Sequence, residues 1–365
     1  MRTRILFWKK LIKEALPGDI GVGSFCGGDF FVGATGGRLY LKPIGFTQIQ
    51  AVDLEKMRVI VTGGTGFIGR VLCGLLAGRG HEVVVASRDE EKVRKIFPAP
   101  VIPGAWDGKT PEGLLRLLDA AQGRAAIVNL VGESIAMGRW TPEKKERILK
   151  SRVGAGLAVA KAVAQAGKKP QVVVQASAVG YYGDGGDTLL DESALPGSGF
   201  LAGVCQAWEG ATQGIEEAGV RRVIVRTGVV LGPGGGALEK FLPAFRMFMG
   251  GPLGSGKQWF PWIHLADEVG AIAFLLENQE ASGVFNLSSP GLVTMRAFCA
   301  ELARALSRPS WLPVPGFALR LALGSEKASE MVLAGQRACP KRLLEKGYDF
   351  LFPEVARALK HAIIG

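Results

Sequence analysis

No apolar run in this chain reaches the roughly 18–20 residues that a bilayer-spanning helix needs, so no membrane partner is expected. Cysteine is sparse: Cys26, Cys73, Cys205, Cys299 and Cys339 are far apart, odd in number and without a CxxC pair. That spacing gives neither a disulfide framework nor a zinc site and suits a reducing compartment, hence a cytoplasmic protein. The histidines, His81, His264 and His361, are too scattered for a metal cluster, and no metal is expected. A formal net charge of +11 raises nucleic acid as a partner. Yet the basic residues are dispersed and alternate with no aromatic stripe, so none is expected. A basic protein holding a phosphorylated small molecule is the simpler reading.

What is present is a chain of 365 residues, 48% hydrophobic, with a mean hydropathy of +0.22. That is ample for a buried core and long for one compact domain. Residues 1–56 open with the basic, apolar-periodic "MRTRILFWKKLIKEAL" and continue with a glycine-rich stretch showing neither helical nor alternating pattern. They read as an N-terminal extension, either a start assigned upstream of Met57 or a targeting segment. The second alternative would make the protein organellar.

From residue 57 the pattern alternates. Apolar runs of strand length fall at 58–62, 82–86, 126–131, 171–176 and 222–231, separated by helical stretches such as 142–166, with Thr141 as N-cap and Pro142 in its first turn. Continuous β-branched runs between helices indicate strands buried on both faces. The expected fold is α/β, a Rossmann-type doubly wound parallel sheet over 57–290, with a small, mainly helical C-terminal domain over 291–365.

The first run feeds "GGTGFIG", residues 63–69, with Gly63, Gly66 and Gly69 spaced G-x-x-G-x-x-G. Gly63 permits a tight turn, Gly66 a close approach of backbone to a pyrophosphate, and Gly69 close helix–strand packing. Gly64, Thr65, Phe67 and Ile68 complete the loop, whose helix N-terminus favours phosphate charge. At the end of the second run, where NAD sites carry an acid, stand Ser87 and Arg88. A hydroxyl and a guanidinium suit a 2′-phosphate that a carboxylate would repel. Asp89 and Glu90 lie beyond, at the start of a helix. NADP(H) is therefore the expected cofactor.

At this point a family resemblance is visible. "VTGGTGFIG", "NLVGESI" (129–135), "SAVGYYGD" (177–184), "VRTGVVLGPGGGAL" (225–238), "GGPLGSGKQWFPWIHLADEV" (250–269) and "LAGQRACPKRLLEKGYDFLFPEVARAL" (333–359) resemble the epimerase-family branch of the extended, atypical short-chain dehydrogenases/reductases. Members are described as NADP-dependent oxidoreductases or nucleoside-diphosphate-sugar epimerases, some as similar to cell-division inhibitors. The resemblance covers about 57–360 in order, includes a C-terminal helical domain of unknown function, and has no counterpart to 1–56. It implies cofactor contacts at Leu130, Val131 and Val230, and phosphate or cofactor contacts at Arg147 and Arg152; solvated helix arginines are the alternative, above all for Arg147.

The family's catalytic pair is a Tyr and a Lys four residues on, with a helper Ser or Thr. Aligned on Glu209, "LAGVCQAWE" places Leu201 and Cys205 at those positions, and Ala178 falls where the helper belongs. Ser177, Tyr181 and Tyr182 remain as catalytic candidates; a packed aromatic pair is the alternative for the tyrosines. Cys205 reads as a buried small hydrophobe, His264 as structural and Asp267 as a helix N-cap. The loop 250–262 reads as a lid or as a turn with an aromatic anchor. The expectation is an NADP(H)-dependent oxidoreductase, monomer or homodimer, acting on an unidentified small carbonyl or sugar-nucleotide substrate. A non-catalytic NADP(H)-binding scaffold or sensor, or a nucleotide-sugar epimerase, are the alternatives.

Overall fold

The computed structural model describes residues 56–364 and, as a separate unit, the backbone of three strands, Gly23–Phe25, Gly28–Thr35 and Arg38–Ile44, paired antiparallel in that order. The rest of 1–55 lies outside the described residues, and with it the extension and its targeting alternative. Within the stretch expected to lack regular pattern, "GDFFVGAT" is a strand; Phe30, Phe31 and Val32 are strong β-formers that outweigh the flanking glycines.

The chain from residue 56 winds in βα alternation. β1 is Arg58–Thr62, α1 Phe67–Gly78, β2 Glu82–Ser87, α2 Glu90–Ile96, β3 Ile102–Ala105 and α3 Glu112–Asp119. β4 is Ala125–Asn129, α4 Pro142–Gln165, β5 Val172–Ala178, α5 Phe200–Gly210 and β6 Arg221–Thr227. α6 is Leu238–Arg246, α7 Leu265–Glu277, β7 Gly283–Leu287, α8 Met295–Leu306 and α9 Val355–Ile364. The seven strands pair in parallel in the order β7-β6-β5-β4-β1-β2-β3. The winding reverses between β1 and β4, and ligands of such sheets bind at the carboxyl ends beside that reversal.

Alternate residues of each strand feed opposite cores. Val59, Val61, Val83, Val85, Val223 and Val225 pack with α1 and α7. Ile60, Val84, Ile127 and Val173 pack with α3 and α4 on the other face. Full burial of such side chains stabilises the sheet by about 1.5–3 kcal/mol each. α4 opens as its sequence requires: Thr141 Oγ1 accepts the Lys144 N–H and Pro142 occupies the first turn.

Two segments depart from the expected pattern, and a third resolves an alternative. The run 222–231 breaks at Gly228, where a Cβ would lie 2.9 Å from the Pro261 carbonyl oxygen, and Val229–Leu231 instead pairs with Trp262–His264. Residues 316–337, within the C-terminal part expected to be mainly helical, divide into several elements. Gly324, at φ +91°, ends Gly316–Leu323, and a short helix Ser325–Ala328 runs into a π-turn, Ser329–Leu333. In loop 250–262, Phe260 and Trp262 are buried against α8, so the aromatic anchor holds that segment down. Residues 56–364 form one compact unit, with the helical segment packed on the sheet domain.

Candidate functional site

The turn after β1 is built from positions where a side chain does not fit. Gly63 has φ +72°, and a Cβ there would lie 2.8 Å from the Leu130 carbonyl carbon and oxygen. The β1 turn is thus pressed against the chain leaving β4. A Cβ on Gly69 would stand 2.6 Å from Gly63 O, and one on Gly64 2.9 Å from Val85. Gly66 is the N-cap of α1 without a side-chain cap, and the first turn holds no acid, so its amide N–H groups are left to an external anion. Arg70 steadies Thr65 by donating from Nε to its carbonyl, 2.8 Å away. The Phe67 ring lies under Gly235 and Gly236, where a Cβ would come within 2.5 and 2.8 Å of it. Ile68 packs against the main core.

At the end of β2, Ser87 Oγ accepts the Asp89 N–H at 3.1 Å, and Asp89 caps α2 by accepting from Lys92 N. The acids after the strand therefore belong to the helix start. Arg88 is exposed, forms no hydrogen bond or ion pair with any described residue, and borders a recess of about 530 Å³ shared with Ser87, Trp106, Asp107, Thr110 and Arg116. The Thr110 and Lys109 N–H groups hold the Asp107 carboxyl below the usual range. Trp106 Nε1 donates to Thr110 O. Trp106, Asp107, Thr110 and Arg116 escaped the sequence reading because β3, which delivers them, was not recognised as a strand.

The backbone of Leu130 and Val131 is set by buried side chains across three strand ends. Thr62 Oγ1 donates to Asn129 Oδ1 at 2.6 Å, and Asn129 Nδ2 donates to Gln175 Oε1 at 2.8 Å. Leu130 N donates to Thr62 O and Val131 N to Asn129 Oδ1. The following loop is tied at several points. Glu133 takes Lys144 at 2.6 Å and Arg147 at 3.4 Å. Lys327, buried, donates to the carbonyls of Ala136 and Gly138. Arg152 donates to the carbonyls of Glu133 and Ile148, lies over the Trp208 ring and fills the space left by Gly132. Both arginines are thus engaged with their own loop and helix. Val230 pairs with Ile263 near Gly236.

The catalytic candidates separate. Glu209, on the inner face of α5, is the hub of a buried network. It takes a bidentate pair from Arg226, Nε and Nη2 both at 2.9 Å, and Ser177 Oγ donates to it at 2.6 Å. Arg226 Nη1 donates to the Tyr182 hydroxyl, which in turn donates to Asn286 Oδ1 at 2.7 Å. Burial raises the Tyr182 pKa, and both Ser177 and Tyr182 are committed inside the protein. Tyr181 stays partly exposed, edge-on to Tyr182, with the Arg226 guanidinium 3.4 Å from its ring centroid. Its hydroxyl makes no hydrogen bond to a described residue. Cys205 is buried and its thiol pushed up to about 11, chiefly by that burial, so it stays protonated.

Asp267 departs from expectation. His264 is the N-cap of α7, accepting the Ala266 N–H on Nδ1, while Asp267 accepts the N–H groups of Leu351 and Phe352. It caps the distant C-terminal segment rather than its own helix. Its partners lie more than eighty residues on, which no local pattern reveals.

Comparison with known proteins agrees with this geometry. Residues 59–288 match the model of the NAD dependent epimerase/dehydratase family, and 314–362 match a domain of unknown function (DUF1731). The chain is 42% identical over 308 residues to the chloroplastic epimerase family protein SDR39U1 homolog of Arabidopsis thaliana, covering 84% of this chain and 86% of that protein. It is 40% identical to epimerase family protein SDR39U1 of Bos taurus, over 84% of this chain and 100% of that one. The crystal structure of human SDR39U1 (isoform 2) with NADPH superposes with a TM-score of 0.74 at 37% identity, over 84% of this chain and 99% of that chain. With the sheet order, the glycine turn and these matches in agreement, the chain belongs to the NAD dependent epimerase/dehydratase family.

Proposed function

We propose that this chain binds NADP(H) and acts as an oxidoreductase on a small carbonyl or sugar-nucleotide substrate. The observation that carries the reading is Arg88, a guanidinium without a partner among the described residues, beside the recess at the end of β2, where a carboxylate would mark an NAD site. The NADPH in the human relative supports it. The turn fits as well: Gly63 and Gly64 leave no room for side chains where the turn packs on Leu130 and Val85, and no side chain of a described residue caps the α1 N-terminus. Bound NADPH would supply hydride. The chain's own part is to hold the pyrophosphate on the 63–69 turn, neutralise the 2′-phosphate with Arg88, and shape the cleft with Leu130, Val131 and Val230.

We assign proton transfer to Tyr181, because Ser177 and Tyr182 are locked into the Glu209–Arg226 network and neither Leu201 nor Cys205 replaces the usual pair. The compartment this reading favours is the cytoplasm or an organelle; the four cysteines among the described residues are free. The test is NADPH consumption against carbonyl and sugar-nucleotide panels. Turnover lowered about 100-fold or more in Tyr181→Phe, with NADPH affinity intact, is expected. The specific observation that favours a non-catalytic, cofactor-loaded scaffold is the absence of the Tyr–Lys pair. Complete inactivity with tight NADPH binding would establish that alternative.

A further inference from the structure

Seven of the fifteen large apolar side chains left exposed among the described residues fall in two short segments, Met247, Phe248 and Met249 in one and Trp311, Leu312, Phe317 and Leu321 in the other. The segments are joined side by side. Trp311 Nε1 donates to Phe248 O at 3.1 Å, Leu312 N to Gly250 O, Val314 N to Pro252 O, and Leu253 bridges to Val314. From residue 240 to 257 the charged side chains are Lys240, Arg246 and Lys257. From 302 to 325 they are Arg304, Arg308 and Arg320; Arg304 is paired with Glu301, and Glu239 and Glu326 border the two stretches.

The local geometry suits apolar surroundings. The Trp311 ring is 68% exposed while its N–H is already satisfied internally, so the ring can leave water without stranding a donor. Phe248 is held at φ +63°, an unfavourable backbone for a non-glycine residue, with its side chain 53% exposed. The Arg308 guanidinium lies 4.5 Å from that ring centroid, placing a charge beside the apolar group. On the helix Gly316–Leu323, Phe317 and Leu321 project four residues apart at 72% and 78% exposure, with Arg320 between them. Apolar tips mixed with Arg246, Arg308 and Arg320 are what the interface of an anionic bilayer attracts.

We propose that this face docks the protein on an anionic lipid surface. A second copy of the chain is disfavoured, because a two-fold contact would bring two patches of the same positive charge, each carrying Arg246, Arg308 and Arg320, together. The expectation of no membrane partner came from the lack of a spanning run; surface docking requires none. The site is separate from the cofactor turn and does not depend on the proposed activity.

The test is co-sedimentation of the full chain with vesicles of equal parts phosphatidylglycerol and phosphatidylcholine, against phosphatidylcholine alone, at low and high salt. Binding only to the anionic vesicles, reversed by salt, is expected. Arg246→Gln with Arg308→Gln should weaken it about five-fold per arginine. Trp311→Ser with Phe317→Ser should weaken it at least as much. NADPH affinity, unchanged in every variant, serves as the check on folding. No sedimentation would overturn the proposal. So would binding that survives both pairs of substitutions, which would place it elsewhere in the chain, or a dimer in light scattering that the same substitutions abolish. An acidic protein that competes for this face where the vesicles do not bind would also overturn it.

Discussion

At the scale of single residues, the cofactor turn is defined by missing atoms. Gly63 combines a left-handed backbone with a carbonyl 2.8 Å from where its Cβ would be. Gly63→Ala should therefore lower stability by about 1–3 kcal/mol and NADPH affinity at least ten-fold. Gly74, on the exposed side of α1 with nothing within 4 Å of a Cβ, is the control. Gly74→Ala should leave affinity unchanged and raise stability by up to about 1 kcal/mol, as chemical denaturation would show. Glu268 is a different case. Fully buried, it receives one hydrogen bond, from Thr227 Oγ1, its other oxygen is unpaired, and burial pushes its carboxyl up to about 8. A raised folded value means that its contribution is complete below the unfolded value of 4.5 and is lost as pH rises through about 8. Glu268→Gln should flatten the decline between about pH 4.5 and 8 in a Tm-versus-pH series; an unchanged slope would show that the folded carboxyl ionises at its unfolded value.

At the scale of elements, α9 is fastened to the sheet domain through a histidine pair. His264 Nδ1 already accepts the Ala266 N–H, so its neutral ring carries the proton on Nε2 and donates to His361 Nδ1, 3.2 Å away, with Phe352 against both rings. Burial depresses both, His264 to about 4 with His361 contributing. Because the folded value lies below the unfolded 6.5, stability is retained above about 6.5 and lost as pH falls towards about 4. His264→Asn keeps an N-cap acceptor and removes the more depressed group. Its acid limb in thermal melts should be shallower, and an unaltered limb would contradict the account. Elements also decided what the sequence made legible. β1, β2, β4, β5 and most of β6 announce themselves as β-branched runs, and Thr141–Pro142 marks the start of α4. β3, "IPGA", carries a proline and a glycine, and β7, "GVFNL", is brief and begins on glycine, so neither stands out. Missing β3 hid the Trp106–Arg116 side of the recess. The Glu209–Arg226 pair and the Asp267 cap were hidden for another reason: their partners meet only through the tertiary fold.

At the scale of the whole molecule, each part of the candidate site is a strand end brought to one edge of a parallel sheet. β1 supplies the turn, β2 the Arg88 guanidinium, β3 one wall of the recess, β4 the backbone of Leu130 and Val131, and β5 leads into Tyr181. The C-terminal segment adds constraint rather than chemistry. Glu330 accepts the N–H groups of Phe200 and Leu201 at the start of α5, and Lys327 fastens the loop after β4. A cleft so pre-formed should bind its cofactor without large rearrangement. The most direct measurement is calorimetric titration of the purified chain and of Arg88→Asp with NADPH and NADH. The account predicts that the native chain prefers NADPH by at least ten-fold and that Arg88→Asp removes that preference while NADH binding changes little. No heat with either nucleotide, or a preference for NADPH untouched by the substitution, would contradict it.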